Sequence, residues 1–205
     1  MTNTSHAVSN AHFAQAAEGF EHSPISKQLA KLTHKIFPLL ELDKNQHWLD
    51  FGAGTGVLSV PLAAYVGHVT ALDTSAPMLA KLVDKNVPNI TPLEHDIFAG
   101  LSATYAGVIS SMALHHVADI PALLKCMHQC LETDGQLVLI DLYSEDGSFH
   151  GDNQAKGVVH FGFDPQQLLE AAAKAGFNHL SYREIFSIEH KNGRSYPLFA
   201  LFGRA

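Results

Sequence analysis

Apolar residues along this chain switch between two rhythms. Short continuous runs suit strands buried on both faces, and stretches with apolar residues three and four apart suit helices lying on a core. Strands are predicted over residues 47–51, 68–72, 89–94, 107–112 and 136–142. Helices alternate with them over 57–65, 75–86 and 119–131, with Ser75 and Asp119 as N-caps and Asp134-Gly135 as a stop. Two more helical stretches, 12–20 and 26–40, come before the first strand. Residues 143–163 keep neither rhythm, and a long irregular segment in a compact domain usually serves function. Asp164-Pro165 then opens a helix to Ala175, with Gly176 as its C-cap. Two last strands, 180–189 and 196–204, flank the turn residues Asn192-Gly193. The expected fold is α/β: a doubly wound, mostly parallel seven-stranded sheet with an antiparallel C-terminal hairpin and helices on both faces.

The first strand leads into Asp50-Phe51-Gly52-Ala53-Gly54-Thr55-Gly56-Val57. Glycines at that density let the chain turn tightly and let a ligand lie against bare backbone. The helix that follows turns unpaired N–H groups and its positive end toward the same place. The dinucleotide fingerprint Gly-x-Gly-x-x-Gly is not met, because its third glycine is replaced by Val57. Asp50 would repel a pyrophosphate but suits an ammonium group, so an adenosine compound without phosphates fits better. Asp73 stands twenty-one residues beyond Gly52, the interval at which a carboxylate reaches both ribose hydroxyls. Ligands of such sheets sit beyond the carboxyl ends of the strands, where the strand order reverses. The junctions at 50–56, 73–75, 95–97 and 110–116 therefore surround one site.

The bulk numbers narrow the classes. One domain over 1–205 is expected: N-terminal helices or lid (1–45), cofactor-binding core (46–143), irregular substrate-side segment (144–163), then helix and hairpin (164–205). Hydrophobic residues make up 46% and charged residues 16%. A net charge of −7 argues against nucleic acid as a partner. Lys27, Lys31 and Lys35 read as a solvated helix face. No apolar run reaches the length of a membrane span, and residues 1–6 look unlike a secretory signal. Cys126 and Cys130, four apart on a helix, are poorly placed for a disulfide, which suits the cytoplasm. None of the fourteen histidines has metal-ligand spacing, so no metal is expected. Either a monomer or a homodimer is compatible with the chain.

Asp-Phe-Gly-Ala-Gly-Thr-Gly (50–56), Asp73 with Thr-Ser-Ala-Pro-Met-Leu (74–79), His95-Asp96-Ile97, and Ala113-Leu114-His115-His116-Val117 follow one another in a familiar order. So does Leu131-Glu132-Thr133-Asp134-Gly135-Gln136-Leu137. The whole resembles the class I S-adenosylmethionine-dependent methyltransferases, with their Rossmann-like sheet, and most of all the small-molecule branch of ubiquinone/menaquinone-biosynthesis type. The resemblance implies that Gly52, Ala53, Gly54 and Gly56 line the methionine moiety of S-adenosylmethionine, with Asp50 near its amino group. It implies that Asp73 and Thr74 hold the ribose, that Met78 and Ile97 lie at the adenine, and that Asp96 meets the adenine amino group. Ser111 and Met112 would flank the sulfonium, and S-adenosylhomocysteine (SAH) would be the product.

Methyl transfer is an in-line displacement that needs alignment and exclusion of water more than it needs acid–base help. Where the acceptor must lose a proton, histidine is the best-matched base. His116, His115 and then His150 are the candidates, as base or as groups that orient the substrate. Phe13, Phe20, Tyr143, Phe149, His160 and Phe161 would wall a pocket for a small, partly aromatic acceptor. Ser110-Ser111-Met112-Ala113 lacks both the Asn/Asp-Pro-Pro-Tyr element of amino-methylating relatives and a cysteine for covalent attack. Two rival readings are a protein that binds S-adenosylmethionine or SAH without chemistry, and a nicotinamide-dependent oxidoreductase, which Val57 and Asp50 disfavour.

Overall fold

The structure is a computed structural model that describes Gly19 and residues 23–205. The helix expected over 12–20, Gly19 apart, and the pocket candidates Phe13 and Phe20 lie outside the described residues. Seven strands form one sheet: β1 (His47–Phe51), β2 (His68–Asp73), β3 (Ile90–Glu94), β4 (Tyr105–Ser111), β5 (Leu131–Leu142), β6 (Asn178–Glu189) and β7 (Ser195–Arg204). Their order is β3-β2-β1-β4-β5-β7-β6. The first five are parallel, and β7 runs antiparallel between β5 and β6. The hairpin closes at Gly193, whose φ of 79° only glycine adopts readily, with the His190 N–H on the Arg194 carbonyl.

Side chains alternate across the sheet with period two and build a core on each face. Trp48, Val138 and Ile140 pack on one side with Leu29, Leu32, Ile36 and Leu62. Leu49, Phe51, Leu137 and Leu139 pack on the other with Leu123, Leu168 and Phe199. Trp48 is fully buried and pairs in register with Gly107 of β4, where a Cβ would come within 2.6 Å of the indole.

The helices are α1 (Pro24–Leu29), α2 (Thr33–Ile36), α3 (Ser59–Ala63), α4 (Ala76–Val83), α5 (Ile120–Gln129) and α6 (Pro165–Ala175). Asp119 and Asp164 cap α5 and α6 by accepting the backbone N–H of Ala122 and Gln166. Among the described residues no helix is long and apolar enough to cross a membrane.

Three expectations are corrected. The helix placed over 26–40 is a succession, α1 and α2 alternating with 3-10 turns at Ala30–Leu32 and Phe37–Leu39, and its cap is Ser23. The helix after the glycine turn starts at Ser59, because residues 54–58 are spent in hydrogen-bonded turns. Asp134-Gly135 stops no helix: α5 ends at Gln129, and β5 begins at Leu131, held by the Tyr105 N–H on the Cys130 carbonyl. Asp134, with φ of 63°, lies in a bulge where the register with β4 shifts.

Candidate active site

The strand order reverses between β1 and β4, and their carboxyl ends are tied together by the Ser110 hydroxyl, which donates to the Phe51 carbonyl at 2.9 Å. The N–H groups of Gly52 and Ala53 both donate to the Leu72 carbonyl, which folds the chain back over β2. Gly52, Gly54 and Gly56 all have positive φ, at 69°, 54° and 85°. Their surroundings differ. A Cβ on Gly52 would lie 2.4 Å from the Ala113 methyl, and one on Gly56 would lie 2.4 Å from Leu82 Cδ1. A Cβ on Gly54 would meet nothing within 4 Å. Gly52 and Gly56 are therefore bare for packing, and Gly54 alone is bare toward open space.

Carboxyl groups surround that space. Asp73 Oδ2 accepts the Gly54 N–H and Oδ1 the Ser75 N–H, both at 2.8 Å, so one side chain fixes both turns. Burial raises the proton affinity of Asp73, and the N–H groups of Ser75, Gly54 and Thr74 oppose the rise. Asp50 is only 2% exposed, and its Oδ2 accepts the Ser59 hydroxyl. Burial pushes its carboxyl up to about 7; the nearby Asp73 charge adds to this and the Ser59 hydrogen bond offsets part of it. A cation beside Asp50 would favour the ionised form. Asp96 Oδ1 caps the short 3-10 turn Ile97–Ala99 through the Phe98 N–H at 3.0 Å.

These groups line one cavity. Asp50, Gly52, Ala53, Gly54, Asp73 and Thr74 border it on the side of β1 and β2. Met78, Asp96 and Ile97 also line it, as do Ser111, Met112 and His116 at and beyond the end of β4. Gly56 does not reach it. The Ser111 hydroxyl oxygen is buried without a hydrogen-bond partner among the described residues. Met112 holds φ at 58°, an uncommon backbone for a residue with a side chain. Leu29, Val57, Val117, Ala118, Gly157 and Val159 also line the cavity and were not among the site residues expected from the sequence.

The histidines sort themselves by position. His115, 1% exposed, meets Asp141 Oδ1 through Nδ1 at 2.8 Å and His150 Nε2 through Nε2 at 3.1 Å. Its carbonyl accepts the N–H groups of Val159 and His160. The His160 ring reaches the Val117 carbonyl at 3.0 Å, and His116 Nδ1 reaches the Gly157 carbonyl at 3.1 Å. Together they fasten the irregular segment to the turn Leu114–His116, which puts Gly157 and Val159 on the cavity wall. Only His116 of the four lines the cavity itself.

Among the described residues, the aromatics expected to wall the acceptor pocket do not line this cavity. Phe149 is 4% exposed and packs on Tyr196 and His150 in the core. Tyr143 stacks edgewise on Phe199, and Phe161 lies at the surface, 46% exposed. Asp141, fully buried, escaped the sequence reading; a lone carboxylate inside the apolar run 137–142 was its only signal. Cys126 and Cys130 are free thiols, and burial pushes Cys130 up to about 12, which leaves it unreactive.

Comparison with known proteins agrees with this fold. A family model described as a methyltransferase domain matches residues 20–182. The chain belongs to the methyltransferase-domain family. Among methyltransferases, an uncharacterised one from Schizosaccharomyces pombe, C1347.09, is 30% identical over 149 residues, 63% of this chain and 52% of that protein. The chain spans about half the length of such curated relatives, 48% for the Mycobacterium tuberculosis methyltransferase Rv0089 at 33% identity over 45% of this chain. Among solved structures, the DhpI–SAH complex superposes with a TM-score of 0.74 at 17% identity, covering 95% of both chains. At so low an identity the likeness is one of fold, the seven-stranded Rossmann-like methyltransferase sheet.

Proposed function

We propose that the chain transfers a methyl group from S-adenosylmethionine to a small organic acceptor. The observation that carries this reading is Gly54, opened toward a cavity whose rim holds Asp50 and Asp73. The residues fit the donor. Asp50, poised near neutrality, would ionise against its ammonium group. Asp73, already holding two backbone N–H groups, keeps lone pairs for ribose hydroxyls. Met78, 2% exposed, and Ile97 offer apolar surface to the adenine, and Asp96 offers an acceptor to its amino group.

When bound, S-adenosylmethionine supplies a sulfonium methyl whose C–S bond breaks with its electrons left on sulfur. The chain contributes alignment and dryness. Ser111 and Met112, at and just beyond the end of β4, line the cavity and would flank the sulfonium. The carbonyl of Gly157 can only accept, so His116 Nδ1 carries hydrogen, and this imidazole on the cavity wall would take the proton of an acceptor that must release one. His115 and His150 act behind it, holding the wall in place.

Calorimetric titration with S-adenosylmethionine, with NAD as comparator, tests the reading. Saturable binding to the first alone, abolished in Asp73→Ala, is the expected result, and the thermal midpoint of the variant confirms that it is folded. Binding to NAD, or undiminished binding by a folded variant, would refute it.

A further inference from the structure

Taking the donor site as proposed, we infer that the methyl acceptor is an uncharged molecule with an apolar body and one protic polar group, and that carboxylates and phosphates are excluded. Besides the residues assigned to the donor, the cavity is lined by Leu29, Val57, Val117, Ala118, Gly157 and Val159, and its further polar side chains are those of His95 and His116. Among the described residues lining the cavity, none is lysine or arginine. Residues 1–22 contain neither lysine nor arginine. Lys156, beside the wall residue Gly157, is turned to the His150 carbonyl by a hydrogen bond from Nζ.

The same cavity already holds three carboxyl groups, Asp50, Asp73 and Asp96. An anion entering it would give up water, find no guanidinium or ammonium from the chain, and face like charge. A neutral molecule gives up far less hydration, needs no cation and meets no like charge. Its polar group would meet the imidazole of His116, which lines the cavity. A phenol, thiol or unprotonated arylamine meets the description, and each must release a proton on methylation, which suits an imidazole nearby.

The test uses the full chain loaded with SAH and three probes that share one body: 4-ethylphenol, 4-ethylaniline and 4-ethylbenzoate. Calorimetry should show the phenol and the aniline binding more tightly than the benzoate by about tenfold or more. Val159→Lys places an ammonium on a wall residue that is 44% exposed, and it should narrow or reverse that ratio by strengthening benzoate binding. Benzoate binding as tight as the neutral probes in the unaltered chain would overturn the inference. So would SAH binding with no neutral probe following it, which leaves the donor site standing. Failure of SAH to bind brings down the methyltransferase reading itself.

Discussion

Replacing Asp50 by asparagine separates what the buried carboxyl costs the fold from what it does for a ligand. The side chain is 2% exposed at the end of β1, and its carboxyl sits at about 7 rather than 3.8 because burial penalises the charge. A tenfold change in proton affinity is worth about 1.4 kcal/mol, so once both folded and unfolded chains are ionised the penalty is about 4 kcal/mol. The sign follows from the raised folded value. The folded state binds the proton more tightly, so this contribution is fully present below pH 3.8 and is lost as pH rises through about 7. Between pH 5 and pH 8 the loss from Asp50 alone is about 2–3 kcal/mol. Asparagine has no charge to bury and keeps an oxygen for the Ser59 hydroxyl. Urea unfolding at pH 5, 6, 7 and 8 should therefore show the variant gaining on the unaltered chain by that amount as pH rises. Its affinity for S-adenosylmethionine should fall at the same time. A stability difference that stays constant across pH would refute the electrostatic account, whatever happened to binding.

Gly52→Ala forces a side chain onto φ of 69° and a methyl group to 2.4 Å from Ala113, so thermal unfolding should reveal a loss of about 2–4 kcal/mol. A loss below that of a surface substitution would mean the turn yields freely. Asp141→Ala leaves the His115 Nδ1–H buried without its acceptor and should cost about 3–5 kcal/mol, while Asp141→Asn keeps an oxygen there and should cost far less. Hydrogen exchange at the Val159 and His160 amides should rise in the alanine variant, since both rest on the His115 carbonyl. Equal behaviour of the two variants would show that the contact at Oδ1 does not matter.

The sheet was legible because a parallel strand buried on both faces is written as an apolar run, as in Val138–Ile140 between two cores. The glycine turn and Asp73 were legible because local backbone demands have few chemical solutions. The first half of β5 was not, because Leu131-Glu132-Thr133-Asp134-Gly135 has no strand rhythm. Its pairing comes from Tyr105, distant in sequence and across a bulge. Composition gave the aromatics of the irregular segment but not their direction. Phe149 turns inward because Tyr196 of β7 offers it a buried partner, while Gly157 and Val159, without aromatic character, reach the cavity. Asp141 was hidden for the opposite reason. A polar residue in a strand is unremarked until its partner, His115 on another element, is seen beside it.

Trp48 and Gly107 occupy a single allotment of volume divided between neighbouring strands. The indole takes nearly all of it, so β4 must give up its side chain at that place, 2.6 Å from where a Cβ would stand. The two positions are therefore coupled: alanine or serine at 107 needs a smaller ring at 48, and a smaller ring at 48 without it leaves a cavity. Because this seam joins β1 to β4, the two strands whose far ends carry the glycine turn and Ser111, every such exchange that keeps their spacing leaves the mouth of the cavity undisturbed.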